Sequence, residues 1–359
     1  MHIIKNNRLV RFILLLIPVI IILSCAKKDN KAAAQTPDQP QKQTTFTNPL
    51  LASGADPWIY KKGDVYYYMS TGVSNISITK TSAVSELGKA TPTVVWRAPA
   101  SGPNSKNVWA PELHYLQGKW YLYYTAGASS DLATQRCFVL ENSATDLLDG
   151  NWVEKGKLSD PNGDFFAIDG TILEYKEKLY FIWSGQISTS DITQRIYIAE
   201  MANPWTLKTP KVQISIPQYD WERRGSAVNE GPEILKNAAG QVFLIYSGSS
   251  CNTDDYGLGM LSLKAGGDPL NPADWTKNPK PVFSKSIDNN VFGPGHNGFF
   301  KSKDGKEDWI IYHANAQSGL GCGGGRSPRI QKFTWNTDGT PNFGVPVSTT
   351  QNLTKPSGE

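Results

Sequence analysis

The sequence predicts an all-β protein with a single folded domain, a five-bladed β-propeller, on three observations. First, five segments of similar form recur, each with a polar residue, a short apolar stretch, a turn and an aromatic-rich strand. Second, aromatic residues make up 11% of the 359 residues, with 11 tryptophans and 15 tyrosines, which is typical of strands. Third, apolar residues seldom recur at helical spacing, which disfavours an α/β fold.

Each repeated segment is long enough for a β-hairpin, and the interval to the next segment leaves room for two further strands. Four strands in each of five units describe a five-bladed propeller. The polar residues that open the units are spaced 56, 57, 61 and 66 residues apart. They are Asp56, Glu112, Asp169, Glu230 and His296. A β-sandwich also contains regular hairpins, but it does not explain why five equivalent strands begin with polar groups, whereas in a propeller these positions converge on the axis.

The N-terminus has the features of a secretory signal, which we assign to residues 1–24. Lys5, Arg8 and Arg11 precede the apolar run Phe12–Leu23, which is shorter than the roughly 20 residues that span a membrane. A small residue stands directly before Cys25, and this pattern resembles a bacterial lipoprotein signal, in which the cysteine is lipidated and becomes the new N-terminus. An ordinary signal peptide cleaved nearby is the alternative.

The chain after the predicted lipidation site divides into a tether and a domain. Residues 26–45 are polar and contain no aromatic residue, so we interpret 25–46 as a flexible tether and 47–359 as the propeller. We therefore expect a lipid-anchored protein of the cell envelope, in the outer membrane of a Gram-negative bacterium. The few residues after Cys25 do not decide between the periplasm and the cell surface.

Charge and metal-binding patterns exclude two classes of function. The net charge of +4 falls to +1 without residues 1–24, because 33 bases then face 32 acids, and a nearly neutral body is not suited to nucleic acid. The four histidines and four cysteines show no zinc-binding spacing. Beyond Cys25, the cysteines are Cys137, Cys251 and Cys322, of which the last two follow strand-like runs and are candidates for a disulfide in an exported protein.

Three of the unit-opening residues, Asp56, Asp169 and Glu230, are acids that stand beside glycine or proline. Acids that converge on one mouth of the propeller repel each other, so the pKa of at least one should rise. One neutral acid and one ionised base are what glycoside hydrolysis requires. The alternative is that these acids cap strand ends or bind a cation.

Five ordered motifs, ADPWI, NVWAPEL, AIDGTI, NEGPEI and GPGHN, carry a resemblance to glycoside hydrolase family 43. The resemblance extends from about Asn48 to about Pro346. It implies a five-bladed propeller that cleaves arabinans, arabinoxylans and related pentose glycans with inversion. By the same resemblance, Asp56 is the general base, Asp169 tunes the pKa of the acid and positions it, and Glu230 is the general acid.

The resemblance also implies groups that bind substrate around this triad. Trp109 matches an aromatic beside the sugar, Arg326 an arginine directed at the substrate, and Glu112 stands in the same motif as Trp109. His296, which we assign to substrate binding and to a possible single cation, matches a histidine near the axis that holds a cation or an ordered water in relatives. Packing between blades is the alternative for Trp109, and burial in the core is the alternative for His296. Weaker candidates for sugar contacts are Phe165, Phe166 and Trp221.

The C-terminal motifs look most like those of arabinofuranosidase-type members. We therefore expect removal of terminal α-L-arabinofuranosyl residues from arabinan or from arabinose-containing plant oligosaccharides, by a monomer that requires no cofactor. A structural calcium or sodium ion near the axis is compatible with the resemblance. The alternatives are a β-xylosidase, an endo-α-1,5-arabinanase, a glycan-binding lipoprotein without turnover, and a propeller that binds other proteins.

Overall fold

The computed structural model describes residues 44–148 and 151–359. The predicted signal peptide, Cys25 and residues 25–43 of the predicted tether lie outside the described residues. Within the described ranges, no helix is both long and apolar enough to cross a membrane.

The described residues form five antiparallel sheets of four or five strands, plus one two-stranded sheet. The strands are β1 (Thr45–Phe46); β2–β5 of blade 1 (Trp58–Lys62, Val65–Met69, Asn75–Thr81, Pro92–Arg97); β6–β9 of blade 2 (Lys106–Leu116, Lys119–Gly127, Arg136–Asn142, Val153–Lys157); β10–β14 of blade 3 (Ala167–Tyr175, Lys178–Gly185, Arg195–Asn203, Thr206–Leu207, Val212–Ser215); β15–β18 of blade 4 (Asn229–Lys236, Val242–Gly248, Gly257–Leu263, Trp275–Lys277); β19–β22 of blade 5 (Phe292–Lys301, Asp308–Asn315, Ser327–Trp335, Pro341–Asn342); and β23 (Leu353–Thr354). Short 3₁₀ segments cover Val84–Lys89, Leu132–Thr134, Asp220–Glu222 and Pro272–Asp274.

The five blades close into a ring, which confirms the predicted five-bladed propeller. Strands within a blade pair in chain order, except that β13 and β14 both pair with β12. The first strand of each blade contacts the first strand of the next, from β2 through β6, β10, β15 and β19 and back to β2. These five strands therefore surround the axis, as the polar residues at their starts predicted.

The hydrophobic core lies between the blades. Each of the five core clusters draws its side chains from two adjacent blades. In one of them, Met69 and Ile76 of blade 1 pack against Leu122 and Phe138 of blade 2. Because each sheet has one neighbour on either face, the strands read as nearly continuous apolar and aromatic runs rather than as a strict alternation.

The ring is closed between blade 5 and blade 1 by segments from both ends of the described chain. Phe46 of β1 pairs with Leu353 of β23 and packs into the cluster between these blades. The buried Asn48 side chain accepts a hydrogen bond from the Ile330 N–H (3.0 Å) and donates one to the Ile330 carbonyl oxygen (2.9 Å). The side-chain amide of Asn48 thus pairs with both the N–H and the C=O of Ile330, a residue of β21 in blade 5.

We predict that Asn48→Ala destabilises the propeller by about 2–4 kcal/mol, because it leaves a buried N–H and a buried C=O without partners. The measurement is the free energy of unfolding from guanidinium titration. Asn352→Ala, at an exposed position near β23, is the control and should change it by less than about 0.5 kcal/mol. Equal losses in the two variants would contradict the role assigned to Asn48.

Candidate active site

The inner strands share one backbone feature where they begin. At or next to the start of each, a residue in a corresponding position has a positive φ, between 42° and 57°, and lies in the left-handed region. These residues are Asp56, Ala110, Asp169, Gly231 and His296. Such a turn aims the local N–H away from the strand's own ladder, so the N–H needs another partner.

A polar side chain supplies that partner in each case, and in four blades it comes from the second strand of the preceding blade or from the residues after it. The N–H donors and their acceptors are Ala110 to Thr71 (2.9 Å), Asp169 to Thr125 (3.0 Å), His296 to Ser247 (2.8 Å) and Asp56 to His313 Nδ1 (3.1 Å). The fifth N–H, of Gly231, donates to Asp169 Oδ2 at 3.0 Å. Each blade therefore positions the start of the next.

This arrangement corrects our expectation from the repeats that the five unit-opening polar residues occupy equivalent positions in their strands. Asp56, Asp169 and His296 do occupy equivalent positions, but Glu230 precedes its left-handed residue and Glu112 lies two residues beyond its own. The inner strands of blades 2 to 5 share a register shift at this point, so the difference lies in where the acid stands relative to it: Glu230 comes at the residue before the shift and Glu112 at the residue after it.

Asp56 is held as an ionised carboxylate. Thr71 Oγ1 donates to Oδ2 at 2.5 Å, and Arg326 Nη1 donates to Oδ1 at 3.3 Å. Burial raises the pKa of Asp56, but the neighbouring charges and the Thr71 hydrogen bond outweigh it and lower the pKa to about 2. Burial lowers the pKa of His296 and His313, so the full positive charge beside Asp56 at neutral pH is that of Arg326.

The pKa of Glu230 is shifted in the opposite direction to that of Asp56. Burial raises its pKa to about 7, helped by the charge of Asp56 and opposed by a hydrogen bond from Tyr256 and by the charge of Arg326. The Tyr256 hydroxyl donates to Glu230 Oε1 at 3.0 Å. The Glu230 side chain therefore carries a proton in slightly acidic solution and loses it as the pH rises through about 7.

Asp169 lies close to both other acids. Burial raises the pKa of Asp169 well above its usual range, and the charges of Glu230 and Asp56 raise it further, whereas the Gly231 N–H lowers it. Because Asp169 and Glu230 oppose each other's ionisation, the two side chains together retain a proton at neutral pH.

Two histidines border the base. His296 Nδ1 lies 3.3 Å from Asp56 Oδ1 and 4.0 Å from Asp169 Oδ2. His313 accepts the Asp56 N–H at Nδ1, so that nitrogen carries no proton, and its ring stacks on Tyr256 at a centroid distance of 5.7 Å. His313 therefore positions the backbone of Asp56 and adds no positive charge beside the Asp56 carboxylate at neutral pH.

A disulfide joins the loops beside Arg326. Cys251, between β16 and β17, is bonded to Cys322, between β20 and β21, with their Cα atoms 5.1 Å apart. This confirms the pairing that the sequence left open. Cys137 is free and buried.

The three acids open into one cavity of about 600 Å³. Among the residues singled out in the sequence, those that line it are Asp56, Trp109, Phe166, Asp169, Glu230, His296 and Arg326. Phe165 lines an adjoining groove instead. Trp221 stacks on Tyr246, which fits its reading as a packing residue.

Glu112 is not among the residues that line this cavity. It is buried, its Oε2 lies 2.9 Å from His114 Nε2, and it faces the buried Glu233 across the axis. Burial and the neighbouring Glu112 raise the pKa of Glu233 well above its usual range. The structure therefore places Glu112 below the acids that face the cavity, in contact with protein groups.

Sequence reasoning missed the hydroxyl groups that orient the site, although they left a signal. Each repeat ends its second strand with a small polar residue, and these are Thr71, Thr125, Ser184 and Ser247, with His313 in the fifth blade. Tyr256 left no such signal, because it lies outside the repeated motifs and reaches Glu230 only in the folded protein.

Within residues 44–148 and 151–359, no cluster of three or more histidine, cysteine, aspartate or glutamate side chains is arranged to hold a metal ion. His296 therefore has acid neighbours on one side but lacks a full set of protein ligands for a cation. Any ion bound there would need water or substrate oxygens to complete its coordination.

A propeller whose axis presents an ionised carboxylate and a protonated carboxyl group to one cavity has the equipment of a glycoside hydrolase. The family model for glycosyl hydrolases family 43 matches residues 46–341, and the chain belongs to this family.

The relatives agree with this assignment. An extracellular exo-α-(1→5)-L-arabinofuranosidase of Streptomyces avermitilis is 40% identical over 92% of this chain and 69% of its own length. A Streptomyces chartreusis enzyme of the same name is 38% identical over 75% of this chain and 82% of its own. The crystal structure of an α-L-arabinofuranosidase from Lactobacillus brevis superposes with a TM-score of 0.80 at 37% identity, covering 85% of this chain and 98% of that one.

We predict that Cys251→Ser combined with Cys322→Ser lowers the free energy of unfolding by about 2–4 kcal/mol, because the bond closes a long loop in the unfolded chain. The two residues are separated by 71 positions. Guanidinium titration measures the loss, and the parent protein with added reductant should match the double variant. Equal stability of parent and variant without reductant would mean that the bond does not form in solution.

Proposed function

We propose that this protein is an exo-acting α-L-arabinofuranosidase that removes terminal arabinofuranosyl residues from arabinan-derived chains with inversion. The observation that carries the proposal is the contrast between two carboxyl groups in one cavity, Asp56 with its pKa lowered to about 2 and Glu230 with its pKa raised to about 7. The sugar specificity is supported by relatives that share 37–40% of their residues with this chain.

In the proposed reaction Asp56 is the general base and Glu230 the general acid. Asp56 removes a proton from a water molecule, which attacks the anomeric carbon as Glu230 protonates the leaving oxygen. Asp169 tunes the acid as a coupled partner, since ionisation of either carboxyl group opposes ionisation of the other and the pair retains a proton. Trp109, His296 and Arg326 contact the sugar from the cavity wall. Glu112 lies behind these groups, where it pairs with the buried Glu233 and its charge favours a higher pKa of His296 and of Asp169.

The cavity also supports exo action. It is about 600 Å³, and the disulfide-linked loops contribute Cys251, Asn252 and Cys322 to its lining. A walled cavity of this size suits one terminal sugar and part of the next unit, whereas internal cleavage needs a cleft that is open at both ends. β-Xylosidase activity remains the nearest alternative, because xylopyranose presents similar hydroxyl groups.

The setting of the enzyme is proposed from the sequence. We propose a signal peptide at 1–24, lipidation at Cys25, a tether that ends before β1 and a catalytic domain that runs from Thr45 to residue 359, because Thr45 and Phe46, expected in the tether, pair with β23 instead. The protein then acts as a monomer anchored in the cell envelope, where it trims oligosaccharides near the cell. It needs no cofactor, and a calcium or sodium ion beside His296 would serve structure rather than turnover.

We predict that Glu230→Ala lowers kcat/KM on α-1,5-arabinobiose by about 10²–10⁴-fold, and that it lowers activity on p-nitrophenyl α-L-arabinofuranoside much less, because an activated leaving group needs less protonation. Asp56→Asn should reduce both activities alike, because the attacking water loses its base in both reactions. Sugar release and p-nitrophenol release measure the two activities.

The p-nitrophenyl β-D-xyloside is the control substrate, and it should be cleaved more slowly than the arabinoside. Proton NMR of the first product should show the anomer opposite to that of the substrate. If Glu230→Ala lowered activity on arabinobiose and on the p-nitrophenyl arabinoside by the same factor, as Asp56→Asn is expected to do, the acid and base assignments would fail. If the parent cleaved no arabinoside, the proposed activity itself would fail.

We predict that kcat/KM of the parent falls as the pH rises through about 7, because Glu230 must be protonated to act as the acid. Tyr256→Phe should move this fall upward by about 0.5–1 pH unit, since the hydroxyl stabilises the ionised form of Glu230. The phenylalanine ring keeps the stacking on His313. Tyr115→Phe, at an exposed position, should leave the profile unchanged. A downward shift for Tyr256→Phe would contradict the proposed identity of the acid.

A further inference from the structure

A fully buried carboxylate, Glu222, takes no part in the proposed reaction although it lies close to the strand that carries the acid. It ends the short 3₁₀ segment Asp220–Glu222, in the connection from β14 to β15. Glu222 does not line the catalytic cavity, whereas Ser226 and Val228 of the same connection do. A buried charge is costly unless it is paired and hydrogen-bonded, so its partners show what it holds.

The carboxylate of this residue accepts from five donors. Its Oε2 accepts the N–H groups of Gln218 (2.7 Å) and Tyr219 (2.8 Å). Its Oε1 accepts the Tyr246 hydroxyl (2.8 Å), the Asn229 side-chain amide (2.9 Å) and the Lys277 ammonium group (2.5 Å). Burial raises the pKa of this carboxyl group, but the ammonium group and the backbone N–H groups outweigh burial and lower the pKa. The group is therefore ionised at neutral pH, and its acceptor capacity is filled.

The side-chain partners of Glu222 belong to three different strands of blade 4. Asn229 opens β15, Tyr246 lies in β16 and Lys277 ends β18. Lys277 extends the network to blade 3, because its ammonium group also donates to the carbonyl oxygen of Ile216, next to β14, at 2.7 Å. The network therefore joins the strand that carries the acid to the rest of its blade and to the preceding blade.

Asn229 is the residue directly before the general acid, and each of its polar groups is held. Its N–H donates to the Gln194 carbonyl oxygen (3.1 Å), and its carbonyl oxygen accepts the Ser184 hydroxyl (2.8 Å). Its side-chain oxygen accepts the Ser215 hydroxyl (2.7 Å) and the same ammonium group (3.1 Å). The remaining group, the side-chain NH₂, is the one that the buried carboxylate accepts.

The backbone of Glu230 is thus fixed on both sides. Asn229 precedes it, and the Gly231 N–H that follows it donates to Asp169. A general acid must stand within hydrogen-bond reach of the leaving oxygen, and a misplacement of about 1 Å is enough to slow a reaction about 100-fold. A buried ion pair often adds little stability over apolar packing, so directional bonds at this point serve geometry more than folding.

We propose that Glu222 is a positioning residue for the general acid. With Lys277 it holds Asn229, and Asn229 in turn sets where the Glu230 side chain enters the cavity. Neither Glu222 nor Lys277 lines that cavity, so both act through Asn229 rather than on the substrate. This inference rests on the proposed function for the role of Glu230 as the acid.

The test is Glu222→Gln in the whole protein, because glutamine has the same shape but lacks the charge that holds the ammonium group. kcat/KM on α-1,5-arabinobiose should fall about 10- to 100-fold, since a displaced acid protonates the leaving oxygen poorly. Release of p-nitrophenol from the arabinoside should fall less than about threefold, since that leaving group needs little protonation. A general loss of folded protein, by contrast, lowers both activities by the same factor.

Glu200→Gln is the matched control. Glu200 is also a buried carboxylate that pairs with lysine, since it accepts from Lys208 (2.6 Å) and Lys178 (2.9 Å) within blade 3. This variant should keep the ratio of the two activities that the parent shows. The inference is overturned if Glu222→Gln lowers both activities by the same factor or lowers neither, or if Glu200→Gln changes their ratio as much.

Tyr246→Phe is a milder variant that tests the same network if Glu222→Gln does not fold. It removes one donor to Glu222 and keeps the ring that stacks on Trp221. kcat/KM on arabinobiose should fall about two- to fivefold relative to release of p-nitrophenol, in keeping with the loss of one hydrogen bond. A melting curve checks that this variant is folded, and a folded variant with the parent's ratio would overturn the inference.

Failure of the proposed function gives a different result. If the parent cleaves no arabinoside, crystal structures of the parent and of Glu222→Gln test the positioning directly. The Tyr256 hydroxyl lies 3.0 Å from Glu230 Oε1. The variant should shift the Glu230 carboxyl group by about 0.5 Å or more and lose this hydrogen bond. An unchanged Glu230 in the variant would overturn the inference, whatever the parent's substrate.

Discussion

The active site depends on the closure of the ring. Each blade buries both faces against its neighbours, and each inner strand begins with a left-handed residue whose N–H is held by a side chain from the preceding blade. No single blade can therefore set the position of its own acid. Asp169 is fixed by Thr125 of blade 2, and Asp56 of blade 1 is fixed by His313 of blade 5. Packing energy and catalytic geometry come from the same contacts.

Closure of the ring also gives the two carboxyl groups, Asp56 and Glu230, different pKa values. Asp56 and Glu230 are both enclosed, so burial raises the pKa of each, and what distinguishes them is the set of neighbours. Asp56 receives a hydroxyl group and a guanidinium group, whereas Glu230 receives a phenol and the repulsion of another acid. One fold thus produces an acid and a base from similar side chains, because different residues surround each of them, Thr71 and Arg326 at Asp56 and Tyr256 at Glu230.

Much of the fold was predictable because each repeat contains an aromatic-rich strand that is visible in the sequence. The three acids were predictable because their motifs follow one another in a fixed order along the chain. Glu112 shows where this reasoning stopped. Its spacing from Asp56 resembled that of the other units, but in the strand pairing Glu112 lies after the register shift, where blade 4 has Glu233, and that position depends on pairing rather than on local sequence. The contact between Tyr256 and Glu230 was out of reach for a similar reason, since it links two strands of blade 4 through their tertiary arrangement.

The buried thiol of Cys137 has a consequence for the order of events in biogenesis. An unfolded chain offers three ways to pair Cys137, Cys251 and Cys322, but in the closed ring Cys137 lies in the core between blades 2 and 3 and only one pairing is left. Oxidation gives one product when these two blades have packed first. Packing of blades 2 and 3 before the thiols react therefore protects the protein from mispaired cross-links.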